Sequence, residues 1–191
     1  TAPFIVLLIC LISAAVSVRI FKRISNPLYK DFANTDYLTG LKNRNSFEID
    51  ISNLSTRMRG QSLAFICMDL NSLKEINDTY GHTAGDDYIR RAAEAIRYAV
   101  EKSHSAYRTG GDEFVILLNG PADQLPAQVR MILSKIHTYL DQDNKKNEIQ
   151  LSIATGSAQY DPSRDQTLTE VYRRADQLMY ETKKAMKSNQ E

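Results

Sequence analysis

A chain of 191 residues with 42% hydrophobic and 25% charged residues has room for one good-sized domain and an appendage, and is too apolar for wholesale disorder. With a formal net charge of only +1, no broad basic face advertises nucleic-acid binding, so any phosphate recognition must be local. Cys10 and Cys67 both sit in apolar runs without metal-ligand spacing, which reads as buried free thiols in a reduced compartment rather than a disulfide.

The chain opens on Thr1 rather than methionine, which reads as a processed or excised fragment. Residues 2–18, APFIVLLICLISAAVSV, carry no charge, and Arg19, Lys22 and Arg23 follow at once. A run of this length just suffices to cross a bilayer, for which ~20 residues is usual, and the basic flank puts the C-terminal side in the cytoplasm. A signal peptide is the main rival, but no basic segment precedes the apolar run. A buried core helix is a weaker rival, because nothing polar interrupts the run to make a wet face. The expected organisation is a transmembrane helix and basic flank at 1–24, a connector or juxtamembrane helix at 25–35 with Pro27 as a break, and one domain at 36–191.

Residues 44–59 place Phe47, Ile51 and Leu54 at helical spacing. Residues 63–70 form a short apolar run, a buried strand that ends at Asp69. A helical stretch with Leu73 and Ile76 follows, then the turn-prone YGHTAGDD, then an amphipathic helix over 87–102. Residues 106–108 and 114–118 read as two strands joined through the GGDE turn. A helix over 124–140, a strand over 149–158 and a closing helix over 168–187 complete the chain. This order predicts an α/β (α+β) sandwich with helices covering a central mixed sheet, which includes at least one antiparallel hairpin.

The polar residues with chemical interest fall into clusters. If the hairpin lies beside the Asp69 strand, Asp69 and Asp112 converge on one edge of the sheet. Two hard oxygen ligands, with a backbone carbonyl and phosphate oxygens, suit Mg²⁺ and in-line phosphoryl transfer. Gly110 and Gly111 would allow backbone to approach a nucleotide and adopt positive φ without strain. Spacing alone leaves an ordinary surface hairpin open beside the metal site. Between the acids, Asn77, His82 and Asp86 surround a turn. Asn offers donors and an acceptor, and Asp accepts from paired N–H donors such as a guanine edge presents. A helix-capping role for Asp86 and a solvated one for His82 stand as the bland alternatives. Lys183 and Lys187 share a helix face at i, i+4 and could reach phosphates, or could simply be a solvated helix end. Asp176 and Tyr180 continue that face.

Together these stretches resemble the GGDEF family of diguanylate cyclases. Residues 36–44, DYLTGLKNR, are similar to the family's opening D-x-L-T-G-L-x-N-R; residues 69–86 resemble its metal and guanine segment; GGDEF at 110–114 is its naming motif unaltered; and residues 175–183 resemble its closing motif. Four motifs in the family's order cover nearly all of 36–187. The resemblance implies a fold akin to the polymerase palm and nucleotide-cyclase domains, and condensation of two GTP into cyclic di-GMP with release of two pyrophosphates. By position it implies that Asp69, the Leu70 carbonyl and Asp112 hold Mg²⁺ (or Mn²⁺). Asn77, His82 and Asp86 would contact the nucleotide alongside Gly110 and Gly111, and Lys74, Lys183 and Lys187 would hold phosphates. Glu113 would complete the acidic cluster, with Asp112 the acid/base candidate near the ribose 3′-OH.

One such domain holds one GTP, so the resemblance also implies a homodimer, here tethered to the inner (cytoplasmic) membrane with its catalytic domain in the cytoplasm. A catalytically silent GTP-binding regulatory module is the alternative. Departures are Asn71 and Leu73, where the family more often carries Asp and Phe, and Lys187 in place of a usual arginine, which keeps charge but loses the bidentate fork. The window for the product-inhibition motif R-x-x-D reads EKSH at 101–104, so that inhibitory site is expected to be absent.

Overall fold

The computed structural model describes residue 4 and residues 13–20, 33–55, 62–100 and 104–188. Its elements are β1 (Lys42–Asn43), α1 (Arg44–Ser55), β2 (Ser62–Leu70), α2 (Leu73–Tyr80), α3 (His82–Ala99), β3 (Ser105–Arg108), β4 (Glu113–Gly120), α4 (Leu125–Asn144), β5 (Ile153–Gln159) and α5 (Leu168–Ser188). The strands form one five-stranded sheet in the order β1-β3-β4-β2-β5. Among the described residues only the β1–β3 pair is parallel, so the sheet is mixed as expected.

Every residue of β2 is buried, and the reason is its central place with helices on both faces. Ala64, Ile66, Met68 and Leu70 join Phe114, Ile116 and Leu118 of β4 in a core shared with α2, α3 and α4. Leu63, Phe65 and Cys67 join Tyr107, Val115 and Leu117 in a second core under α1 and α5. The alternation of strand side chains thus divides one apolar run between two cores. Burying each large side chain here contributes about 1.5–3 kcal/mol. Phe47 of α1 packs on this second face, its ring centroid 5.2 Å from Tyr107 and 5.3 Å from Tyr172.

Helix α5 lies unusually close to the sheet. A Cβ built on Gly156 of β5 would stand 2.0 Å from the Met179 backbone nitrogen and 2.4 Å from the Ala175 carbonyl oxygen. Flanked on the same strand face by Ala154 and Ala158, Gly156 lets helix backbone rest on strand backbone. This contact fixes where the later turns of α5, with Lys183 and Lys187, meet the end of β2.

The structure revises several boundaries. The segment read as a turn at 80–87 is mostly helix: α3 begins at His82, and Gly81 alone breaks the chain with φ 84°. Gly85 lies inside the helix because it must accommodate a neighbour, described below. Strand β5 begins at Ile153 rather than 149, and α4 runs on to Asn144. The two-residue β1 has no sequence signal, being too short for periodicity. Of the expected 1–24 span, Phe4 is described and residues 13–20 are helical and exposed, while the remainder lies outside the described residues, as do Cys10 and Pro27. Among the described residues no helix is long and apolar enough to cross a membrane. Within the expected 25–35 connector, residues 33–34 are helical and Thr35 bridges Lys42.

Candidate active site

The antiparallel register of β2 against β4 sets Asp69 directly opposite Glu113. Like charges facing each other across strands are destabilising, so this pairing is not what folding alone would select. Asp69 is only 8% exposed. The hairpin between β3 and β4 spans residues 109–112, closed by Thr109 N–H donating to the Glu113 carbonyl over 3.0 Å. Its Asp112 carbonyl accepts from Leu70 N–H over 3.0 Å, which ties the turn to the end of β2 and draws Asp112 to Asp69. The Asp112 backbone therefore lies at the end of β2 next to Asp69, while the Asp112 side chain does not line the cleft described next.

The glycines of that turn serve a different purpose from the one expected. Neither Gly110 nor Gly111 has positive φ; among the described glycines only Gly40 and Gly81 do. Gly110 supplies space: a Cβ there would lie 2.5 Å from Glu113 Oε2. The left-handed residue near the site is Ser72, with φ 59°, in the tight turn from β2 into α2. Such a conformation costs a non-glycine residue about 1–2 kcal/mol. Beside it, Asn71 is buried, donates to Ser152 Oγ over 2.8 Å, and leaves its Oδ1 without a partner.

A cleft of about 460 Å³ opens beside the acids, lined by Asp69, Glu113, Asp176, Lys183, Lys184 and Lys187 among others. Burial pushes the Asp69 carboxyl up from its ordinary value; a hydrogen bond from Lys183 opposes this and the Asp112 charge adds to it. Glu113 is raised as well, by burial first and then by Asp112, Asp69 and Asp176. Lys183 is hydrogen-bonded and ion-paired to Asp69. Lys187 is exposed, and its charge is felt at Asp69. No three His, Cys, Asp or Glu side chains among the described residues stand close enough to hold a metal ion between them. The donor set is nevertheless the kind Mg²⁺ takes, few carboxylates of hard oxygen with the rest left to substrate and water. Burial first, and then the Asp112 charge, raise both carboxyls, and Asp69 and Glu113 face each other across the strands with one lysine paired to Asp69, so the residues fit a divalent cation.

The other expected contacts lie on α2 and α3. Asn77 packs into the notch made by Gly85, where a Cβ would come within 2.0 Å of Asn77 Oδ1. That puts Asn77 against the residue that precedes Asp86, and Asn77 and Asp86 are both half-buried. Asp86 is the fifth residue of α3, not its cap. His82 and Lys74 are exposed in the first turns of α3 and α2. Among the described residues no hydrogen bond or ion pair joins these four to the acids, and none of the four lines the cleft.

Two residues that sequence reasoning left without a role brace the hairpin. Asp36 accepts from Thr39 N–H and Oγ1 at 2.9 and 2.6 Å, closing the turn in which Gly40 takes φ 67°. It also pairs with Arg108 Nη1 at 3.1 Å, and Arg108 Nη2 donates to the Gly111 carbonyl at 2.8 Å. The opening motif thus holds the acidic turn through one guanidinium. Only the charges of Asp36 and Arg108 could have hinted at this, and pairing over 72 positions leaves no local trace. Asp176, on the α5 face with Lys183, is the other addition to the acidic group.

The family model described as "Diguanylate cyclase, GGDEF domain" matches residues 33–189, and the chain belongs to the GGDEF family. It is 34% identical over 151 residues to Probable diguanylate cyclase DgcJ of Escherichia coli K12, covering 78% of this chain and 29% of that protein. It is 32% identical over 152 residues to Cyclic di-GMP phosphodiesterase PdeR of the same organism, covering 79% of this chain and 22% of the relative. Among solved structures, the GGDEF domain of DgcB from Caulobacter crescentus, in complex with c-di-GMP, superposes with a TM-score of 0.69 at 27% identity over 80% of this chain and 91% of that one. The chain spans less than a third of either of those two relatives.

Proposed function

We propose that this chain is the catalytic part of a diguanylate cyclase, joining two GTP into cyclic di-GMP with release of two pyrophosphates. The observation that carries this reading is the opposed Asp69–Glu113 pair with Asp112 tied beside it, a concentration of negative charge that weakens the fold unless a cation is bound. Asp69, Asp112 and the Leu70 carbonyl would hold Mg²⁺ or Mn²⁺. When bound, the ion neutralises charge developing on the α-phosphate and the leaving pyrophosphate.

The chain's own side chains do the rest. The Asn77 amide and Asp86 carboxylate, set together by Gly85, read the guanine edge, and exposed His82 lies beside the nucleotide. Lys74, Lys183 and Lys187 hold phosphate oxygens, while Gly110 and Gly111 let the turn come close to the nucleotide. In each half-reaction a 3′-oxygen bonds to the other nucleotide's α-phosphorus, the bond to pyrophosphate breaks, and Asp112 takes the hydroxyl proton. Glu113 keeps the pocket selective for positive charge. Because one domain holds one GTP, two copies must face each other, and residues 36–191 form that catalytic unit. The uncharged run within 1–24 would tether it to the inner membrane, with 25–35 as the connector that sets dimer geometry.

Turnover of GTP and Mg²⁺ by the dimerised protein, with the product identified by mass spectrometry, tests this reading. Cyclic di-GMP is expected from the wild type and is reduced at least about 10²-fold by Asp112→Ala. A verified dimer that makes no product overturns it. Because EKSH replaces the inhibitory motif, with His104 its described member, added cyclic di-GMP should leave the initial rate unchanged. Strong inhibition with product bound at 101–104 would overturn that part. The likeness to a phosphodiesterase supports a second reading, a silent GTP-binding module that regulates an attached domain. GTP binding that alters a partner's activity without pyrophosphate release would establish it.

A further inference from the structure

Lys183 does something in this structure that phosphate binding does not explain. Its ammonium donates to Asp69 Oδ1, and the two side chains are only 23% and 12% exposed. Among the described residues no other cation is ion-paired with Asp69, Asp112, Glu113 or Asp176. Lys184 and Lys187 line the same cleft without touching the acids in this way.

We propose that Lys183 is a stand-in cation: without nucleotide its ammonium occupies Asp69 and disfavours a free divalent ion, and it leaves only when a metal–triphosphate brings phosphate oxygens to receive it. The inference rests on the metal reading of Asp69 and adds an order to the binding events. Helix α5 cannot withdraw to release the lysine, because its backbone at Ala175 and Met179 rests against Gly156. Lys183 lies one turn beyond Met179, so the exchange takes place by rotation of its flexible stem.

The two arrivals differ in what happens to the displaced ammonium. A bare divalent ion expels it from a carboxylate into solvent with no new partner of equal charge. A metal-bound triphosphate supplies that partner within the same cleft. Metal and nucleotide affinities are thereby coupled, each raising the other by the same factor. In the idle enzyme Lys183 offsets the Asp69 charge alone, which eases the opposed Asp69–Glu113 pair while no substrate is present.

Mn²⁺ binding to the 191-residue chain, followed by electron paramagnetic resonance without nucleotide, tests the proposal. Lys183→Met and Lys183→Gln should each bind Mn²⁺ on the order of 10-fold more tightly than wild type. Lys187→Met removes the same formal charge from the same helix and should change affinity less than about 3-fold, which separates the ion pair from general electrostatics. A non-hydrolysable GTP analogue should tighten Mn²⁺ binding in wild type and lose most of that effect in Lys183→Met. The proposal is overturned if both Lys183 variants, folded by circular dichroism, bind Mn²⁺ no tighter than wild type, or if Lys187→Met matches them. Asp69→Asn should abolish the site. If it binds Mn²⁺ as wild type does, the metal reading itself fails, and the stand-in role falls with it.

Discussion

One face of this sheet carries two polar groups, and they are built on opposite principles. Toward β1, Lys42 Nζ lies 2.8 Å from Asp50 Oδ2 and 3.1 Å from Ser105 Oγ, and the buried Tyr107 hydroxyl donates to Asp50 over 2.7 Å. Every charge there has its opposite. Hydrogen bonds from Lys42 and Tyr107 hold the Asp50 carboxyl below its ordinary value despite the opposing effect of burial, while burial first, then the Asp50 bond, push the Tyr107 phenol well above its own. At the end of β2 the order reverses. Asp69 and Glu113 face each other, Asp112 and Asp176 stand near, and the carboxyls of the facing pair are raised. The first group is a matched set that stabilises the fold. The second sets one paired lysine, Lys183, against four acids, and that imbalance is what the cation of the proposed function would complete.

Gly156→Ala should separate the two most sharply. Its methyl would meet helix backbone, so we expect a loss of about 3 kcal/mol or more in stability and displacement of the lysines that line the cleft. Urea unfolding measures the first, and GTP affinity of the folded fraction the second. The Lys42–Asp50 group, to which α5 supplies no polar partner, should keep its Tyr107–Asp50 hydrogen bond, read by NMR. An unchanged unfolding midpoint would mean that the close helix docking is wrong.

Asp50→Ala comes next. It strands a buried tyrosine hydroxyl and should cost about 1–3 kcal/mol in stability while leaving turnover per folded molecule near wild type. A selective loss of turnover would show that this group takes part in function.

Glu113→Gln has the smallest effect on stability and the opposite sign. Removing a like charge from the cross-strand pair should stabilise the protein by about 0.2–1 kcal/mol at neutral pH while abolishing turnover. The pH profile gives the same contrast. A carboxyl raised in the folded state binds its proton earlier there, so acidification strengthens the fold from the raised values of Asp69 and Glu113 down to their ordinary 3.8 and 4.5. Asp36 and Asp50 are lowered, so their contribution is complete above 3.8 and lost as pH falls through their folded values. Melting temperature should therefore rise slightly on mild acidification and then fall. In Glu113→Gln the initial rise should shrink, and an undiminished rise would assign it elsewhere.

Much of this was legible in the residues themselves. Helical periodicity foretold α1 and α3, the apolar runs foretold β2 and β4, and two glycines before two acids foretold a hairpin. The four motifs pointed to the family, because each is a local pattern whose spacing survives without knowledge of the fold. Other features had no local trace. The place of Gly85 inside α3 depends on its yielding space to Asn77 across the α2–α3 corner. The role of Gly110 depends on the Glu113 side chain rather than on its own backbone angle.

Chain order and side-chain type were enough to foretell a mixed α/β sheet flanked by helices and to single out the acids near its edge. Tertiary structure alone decided that Asp69 faces Glu113, that Asp36 braces the turn through Arg108, and that Lys183 is held by Asp69 rather than left in solvent. The physical reason is register. A strand pairing or a helix docked at one glycine sets which charges meet, and shifting either by one residue would bring different side chains together.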